Sequence, residues 1–181
     1  QWAIRQFSAR EGFTYKNEQK SGVAMREGLE FTSRRQLVET ERAPQITATK
    51  FVIENLRKSG AACICMPVGC GKTVCGIWIS MQMRVKTLIV AAKGDLLDQW
   101  TERISEYVPG ARIGRIQADI LETDGCDFVL ATAQSLALKV YDPKMLSEFG
   151  LVIFDEAHHA AAPSFLMAVW QVSSPYMLAL T

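Results

Sequence analysis

The chain has 181 residues, 49% of them apolar, which suffices to bury the core of one full-sized domain. Its 20 basic and 19 acidic side chains leave a formal net charge of +1, so no global field draws it onto phosphate backbones or anionic membranes, and any nucleic-acid contact has to be local. No apolar run reaches membrane-spanning length and no hydrophobic leader opens the chain, so neither membrane insertion nor secretion is expected. The five cysteines, Cys63, Cys65, Cys70, Cys75 and Cys126, are odd in number and contain no C-x-x-C pair. Disulfides and a structural zinc are therefore not expected, and the thiols are read as buried small hydrophobes of a reducing, intracellular compartment, cytoplasm or nucleus. A start at Gln1 instead of Met is read as a fragment or a processed product, although a chosen expression boundary would look the same.

Residues 1–42 are rich in charge and turn formers, with short amphipathic pieces at Gly12–Lys16 and Leu29–Thr32, and are read as an appendage or the end of an accessory domain. From Pro44 the pattern changes. Proline suits the first turn of a helix, and Ile46, Phe51, Val52 and Leu56 recur with helical spacing up to an expected stop near Gly60. Apolar runs of strand length follow, each trailed by a polar, helix-forming stretch: Ala61–Met66, Thr87–Ala92, Asp127–Thr132, Leu151–Asp155 and Tyr176–Thr181, with Arg112–Gln117 a weaker strand. Near-continuous apolar strands alternating with helices predict an α/β fold, a mostly parallel sheet covered on both faces, with active residues at the strands' carboxyl ends.

The first of these strands runs into Met66-Pro67-Val68-Gly69-Cys70-Gly71-Lys72-Thr73, and a helix is expected from near Thr73. This is a phosphate-binding loop in its expected context. Gly69 and Gly71 let the backbone curl with its N–H groups inward, and the helix N-terminus adds partial positive charge. Lys72 is expected to reach the β- and γ-phosphates of ATP, and Thr73 to hold magnesium. Met66 stands where the strict pattern has its first glycine. Taken alone, the Gly-Lys-Thr run is equally a glycine turn with a surface lysine. Cys70 occupies a variable loop position, where a thiol makes nucleotide binding open to oxidation.

Leu151-Val152-Ile153-Phe154-Asp155-Glu156 reads as an apolar strand ending in two carboxylates. Such a pair is costly unless a metal or donors offset it. Beside the loop strand, Asp155 is expected to join Thr73 as a magnesium ligand and Glu156 to activate the water that attacks the γ-phosphate. The bland alternative makes Asp155 a helix N-cap and Glu156 a first-turn acid. His158 and His159 invite a zinc reading, but no Cys or His cluster elsewhere supplies the other ligands.

Asp155-Glu156-Ala157-His158 resembles the DEAH form of motif II in superfamily 2 helicases. Other stretches resemble the motifs of that family in order. Leu88–Trp100 is similar to motif Ia of the branch containing XPB-type DNA helicases and their relatives in large DNA viruses and phages, Phe128–Leu136 to motif Ib, and Leu178–Thr181 to the opening of motif III. Arg42-Ala43-Pro44-Gln45 stands where the family often has an adenine-side element, although its aromatic is missing. The resemblance covers residues 42–181 and implies a RecA-like ATP-binding domain over 43–181, truncated at motif III, with ATP and Mg2+ as cofactors. By position it implies that Gln45 lies on the nucleotide, that His158 and Thr181 couple hydrolysis to movement, and that Lys93, Gly94, Thr132, Gln134 and Ser135 touch a nucleic-acid backbone. Ala92 replaces the usual proline of motif Ia and Lys93 the usual Thr or Ser, so Lys93 is either an added phosphate partner or a solvated lysine. Trp100 and Leu96, spaced by four, are read as the core face of a helix.

What the resemblance implies is an ATP-dependent helicase or translocase lobe acting on DNA in preference to RNA. It would need a second RecA-like lobe, and alone it would hydrolyse ATP slowly and unwind nothing. A duplex translocase without unwinding activity and a catalytically silent, nucleotide-gated scaffold module remain open as rivals. A P-loop kinase lacks any identifiable acceptor site.

Overall fold

The computed structural model describes residues 22–32, 37–41, 43–158, 163–172 and 174–181. The Gly12–Lys16 piece, Arg42 and His159 lie outside the described residues. Seven strands form one sheet: β1 (Ala61–Ile64), β2 (Thr87–Ala91), β3 (Ile113–Gln117), β4 (Ile120–Leu121), β5 (Phe128–Thr132), β6 (Leu151–Phe154) and β7 (Tyr176–Leu180). They lie in the order β1-β7-β6-β2-β5-β3-β4, and every pairing is parallel except that of β3 with β4. The helices are α1 (Gln45–Ser59), α2 (Lys72–Met83), α3 (Gly94–Tyr107), α4 (Ala133–Leu138), α5 (Pro143–Leu146) and α6 (Pro163–Gln171). None of the described helices is long and apolar enough to cross a membrane.

Because side chains alternate across a strand, the sheet builds two cores. Ile89, Phe128, Leu130 and Ile153 face α1, α2 and α3, where Leu56, Ile77 and Trp100 are buried. Leu88, Val90, Val129 and Val152 face the other way, against Leu136 of α4 and Phe165 of α6. Covering both faces is what buries β2, β5 and β6 at every position and makes them apolar but for Thr87 and Thr132 at their ends.

Local chemistry sets the element ends. Pro44 is the N-cap of α1, one residue ahead of the first turn, and its carbonyl accepts from Ala48 N–H. Gly60 ends the helix in the left-handed region at φ 77°, with its N–H on Leu56 O at 2.8 Å. The short β4 was not foreseen. It returns from β3 through a tight turn with Ala118 at φ 51°, so neither a glycine nor a strand-length apolar run marks it in the sequence.

Residues 22–32 run along the amino-terminal edge of the sheet. Val23 N–H donates to Glu148 O at 2.8 Å, Lys86 N–H donates back to Val23 O at 2.7 Å, and Met25 and Leu29 enter the core. The strongest tie is Arg26 on Asp127, the residue ahead of β5. Arg26 Nη2 lies 2.7 Å from Asp127 Oδ2, the Arg26 N–H reaches Oδ1 at 3.0 Å, and Arg112 N–H reaches Oδ2 at 2.8 Å. Burial pushes the Asp127 carboxyl up, but the Arg26 side chain and the Arg112 and Arg26 N–H groups outweigh it and hold the group below the usual carboxylate range.

A carboxyl lowered in the folded state stabilises it above the unfolded value of 3.8, and this contribution is lost as pH falls through the folded value. Asp127→Asn is therefore expected to cost about 2 kcal/mol in urea unfolding at pH 7. The gap from wild type should close as pH drops below 3.8. A gap that widens in acid would contradict the assigned role.

The cysteines divide differently from the expectation. Cys75 alone is buried, its thiol pushed up to about 11 by desolvation, while Cys63 and Cys65 are exposed on β1 and just after it. The apolar periodicity of β1 did not show that one face near the sheet edge is uncovered.

Candidate functional site

The residues singled out by sequence gather along the carboxyl edge of the sheet in two clusters. The first follows β1, β7 and β6, which are neighbours. After β1 the chain loops over residues 65–71 and enters α2 at Lys72. Gly69 and Gly71 have φ of 84° and 81°, a region costly for any residue with a Cβ. At Gly71 a Cβ would also collide with the Gln45 amide, whereas at Gly69 it would meet nothing within 4 Å, so the loop crest is open. Pro67 and Val68 are exposed on that crest.

Gln45, at the start of α1, braces the loop. Its Nε2 donates to Cys70 O at 2.8 Å and its Oε1 accepts Val38 N–H at 3.0 Å. Both ends of the amide are thus held by backbone, an arrangement the sequence reading did not anticipate. Met66 has a buried side chain, and its N–H donates to Thr181 O at 3.0 Å while Thr181 N–H donates to Ile64 O at 2.9 Å. At the usual glycine position Met66 therefore extends the sheet. Its carbonyl accepts Lys72 Nζ at 3.1 Å, which draws the ammonium back towards the loop. Thr73 follows in the first turn of α2, half-buried.

Asp155 stands just past β6 with 7% exposure. Its Oδ2 accepts the Trp100 indole N–H at 2.8 Å and its Oδ1 accepts Glu156 N–H at 3.0 Å. Burial raises its proton affinity above the ordinary carboxylate value; the Trp100 bond, the Glu156 N–H and the charge of Lys72 pull the other way without cancelling it, and the Glu156 carboxylate adds to it. A buried anion so placed is stabilised by a cation beside it, as a magnesium ligand requires. Glu156 itself takes φ 50°, strained for a residue with a Cβ. Its Oε2 lies 3.2 Å from His158 Nδ1, and the same nitrogen lies 3.3 Å from Thr181 Oγ1. Glu156, His158 and Thr181 thus form one connected group.

The second cluster follows β2, β5 and β3. Lys93, Gly94, Thr132, Gln134 and Ser135 all line one cleft of about 470 Å³. Thr132 caps α4, its Oγ1 accepting Ser135 N–H at 3.2 Å and lying 2.8 Å from Ser135 Oγ. Gly94 lies so close to Gln117 Nε2 that a Cβ there would come within 2.8 Å of it. Gln117 and Lys139 also line the cleft, and sequence reasoning missed both. Gln117 sits at a strand's carboxyl end, a position the fold class marks. Lys139, held on Ala118 O at 2.6 Å and Asp119 Oδ1 at 3.0 Å, carries no sequence signal.

A mostly parallel, helix-covered sheet with a glycine loop, an acidic strand end and a cleft along one edge is the arrangement that the resemblance to superfamily 2 helicases implies for an ATP-binding domain. Residues 39–181 match the family described as Type III restriction enzyme, res subunit, and the chain belongs to that family. Among curated relatives, a putative ATP-dependent RNA helicase of Acanthamoeba polyphaga mimivirus is 32% identical over 78% of this chain and 27% of its own length. A DNA 3'-5' translocase, XPB2, of Sulfurisphaera tokodaii is 35% identical over 65% of this chain and 26% of its own length. The chain thus spans about a quarter of these two relatives. Among solved structures, the Sulfolobus solfataricus SWI2/SNF2 ATPase core in complex with dsDNA superposes with a TM-score of 0.65 at 23% identity, over 81% of this chain and 34% of that one. The UvsW helicase from bacteriophage T4 gives 0.64 at 14% identity, over 98% and 68%. At such identities the likeness shows the fold.

Proposed function

We propose that this domain is the motor lobe of an ATP-dependent nucleic-acid translocase or helicase that works on DNA in preference to RNA and closes against a second RecA-like lobe. One observation carries the reading: the candidate nucleotide residues and the candidate strand contacts share the carboxyl edge of a single sheet, the former around β1, β7 and β6 and the latter around β2, β5 and β3.

In this reading residues 66–73 cradle the phosphates, with Lys72 leaving Met66 O for the β- and γ-phosphates and Thr73 and Asp155 holding magnesium. Magnesium-bound ATP supplies the phosphoanhydride bond and the charge neutralisation its cleavage needs. Glu156 accepts the proton of the attacking water. His158 and Thr181 relay the change at Glu156 to β7, and Gln45 keeps the loop in register from the α1 side. Lys93, Gly94, Thr132, Gln134 and Ser135 hold the strand by its backbone, which positions it without reading its sequence.

The deciding measurement is ATP hydrolysis by the full-length parent with single-stranded and duplex DNA and RNA. Stimulation strongest with DNA is expected; ATP binding without hydrolysis on any polymer would favour the silent, nucleotide-gated module. A duplex translocase is the second reading, favoured by the neighbour solved with double-stranded DNA. Displacement of a triplex strand without unwinding of a forked duplex would select it. Lys93→Ala is further expected to weaken polymer binding and to lower the salt slope of the log affinity by about 1. An unchanged slope would make Lys93 a solvated lysine.

A further inference from the structure

We propose that Trp100 is a positioning residue that carries occupancy of the nucleic-acid cleft to Asp155; the inference rests on the function proposed above. Two observations meet in α3. Its first residue, Gly94, and its N-cap, Lys93, line the cleft. Within two turns the same rigid helix delivers Trp100, whose Nε1–H donates to Asp155 Oδ2 at 2.8 Å between two buried groups. With Glu156 N–H on Oδ1, both carboxylate oxygens are fixed, one of them from the cleft side of the fold.

The indole is boxed in as well as bonded. It is 1% exposed and packs so tightly on the loop helix that a Cβ at Gly76 would stand 3.0 Å from Cη2, with Leu180 and Ile153 closing the same spot. Trp100 therefore meets α2, which begins with Lys72 and Thr73, at the same Gly76 that Ile153 of β6 and Leu180 of β7 approach. Its N–H cannot leave Oδ2 without stranding two buried polar groups, so a shift of α3 moves the carboxylate or breaks the bond. A tryptophan that merely fills the core needs some acceptor, and a backbone carbonyl would serve; here the acceptor is the carboxylate assigned to magnesium.

The test uses the full-length parent and compares affinity for a non-hydrolysable ATP analogue in magnesium with and without a single-stranded DNA oligonucleotide. In the wild type the oligonucleotide is expected to tighten the analogue about 5-fold or more, and by linkage the analogue tightens the oligonucleotide equally. Trp100→Phe keeps most of the ring and removes the donor. It should bring this factor to within about 2-fold of unity, leave each separate affinity nearly unchanged at saturating magnesium, and raise the magnesium concentration that half-saturates analogue binding. Undiminished coupling in Trp100→Phe, or none in a wild type that binds both ligands, overturns the proposal. If Trp100→Phe does not fold, Gly76→Ala displaces the ring, which its Cβ would meet at 3.0 Å, and with it the N–H from Oδ2, and unaltered coupling in that variant overturns it too. A wild type that binds no analogue defeats the functional reading instead.

Discussion

Glu156→Gln in the full-length parent is expected to lower polymer-stimulated ATP turnover by about 100-fold or more while ATP still binds. The change is nearly isosteric and leaves the Asp155 bond to the residue-156 N–H in place, since that bond uses backbone. It also leaves an acceptor near His158 Nδ1, now 3.2 Å from Glu156 Oε2, so the link to Thr181 survives in neutral form. What disappears is the proton acceptor proposed for the attacking water. The expected signature is therefore a fall in kcat with little change in KM for ATP, read in a steady-state assay with saturating oligonucleotide. A variant that hydrolyses at the wild-type rate would remove Glu156 from the chemistry and leave the strained φ of 50° at that position without a functional account.

Lys72→Ala is the second large effect, and it differs in kind. The ammonium is the cationic side chain presented within the loop itself, held 3.1 Å from Met66 O. Removing it takes away ground-state attraction for the phosphates and stabilisation of charge on the transferring group together. Nucleotide affinity should drop about 10-fold, and turnover should drop by 100-fold to 1,000-fold, the range for losing one preorganised charge partner. The fold should hold, because the lost contact is a single half-buried bond to a carbonyl. Fluorescent-nucleotide binding and thermal unfolding, run side by side, check both halves. Wild-type affinity with reduced turnover would move Lys72 from binding to transition-state stabilisation alone.

Much of the sheet was legible because its signals are local. Unbroken apolar runs at Leu88–Ala91, Phe128–Ala131 and Leu151–Phe154 are what burial on both faces demands, and Gly60 ends α1 by a rule that acts within one turn. The glycine loop and the acidic strand end were legible for the same reason. Contacts that join distant stretches were not. The Trp100–Asp155 bond spans 55 positions, and the four-residue spacing of Leu96 and Trp100 reports a buried face without saying where an indole N–H points. One clue was available: a buried tryptophan N–H needs an acceptor, and the strongest acceptors in the chain were already placed at the neighbouring strand end. Gln45 is a similar case, since its bond to Cys70 O crosses 25 positions and resembles nothing in its own helix. Cys63 and Cys65 were misread because alternation along β1 specifies two faces but not whether both are covered.

The clasp of Arg26 on Asp127 has a mechanical meaning. Asp127 is the foot of β5, and the head of that strand carries Thr132 into the cleft. A pull on the chain ahead of Gly22 would load first the Val23 bonds to Glu148 and Lys86 at the foot of β2, and then Arg26 and Asp127 at the foot of β5. Tension from residues upstream would thus reach the cleft through β2 and β5, bypassing the glycine loop after β1.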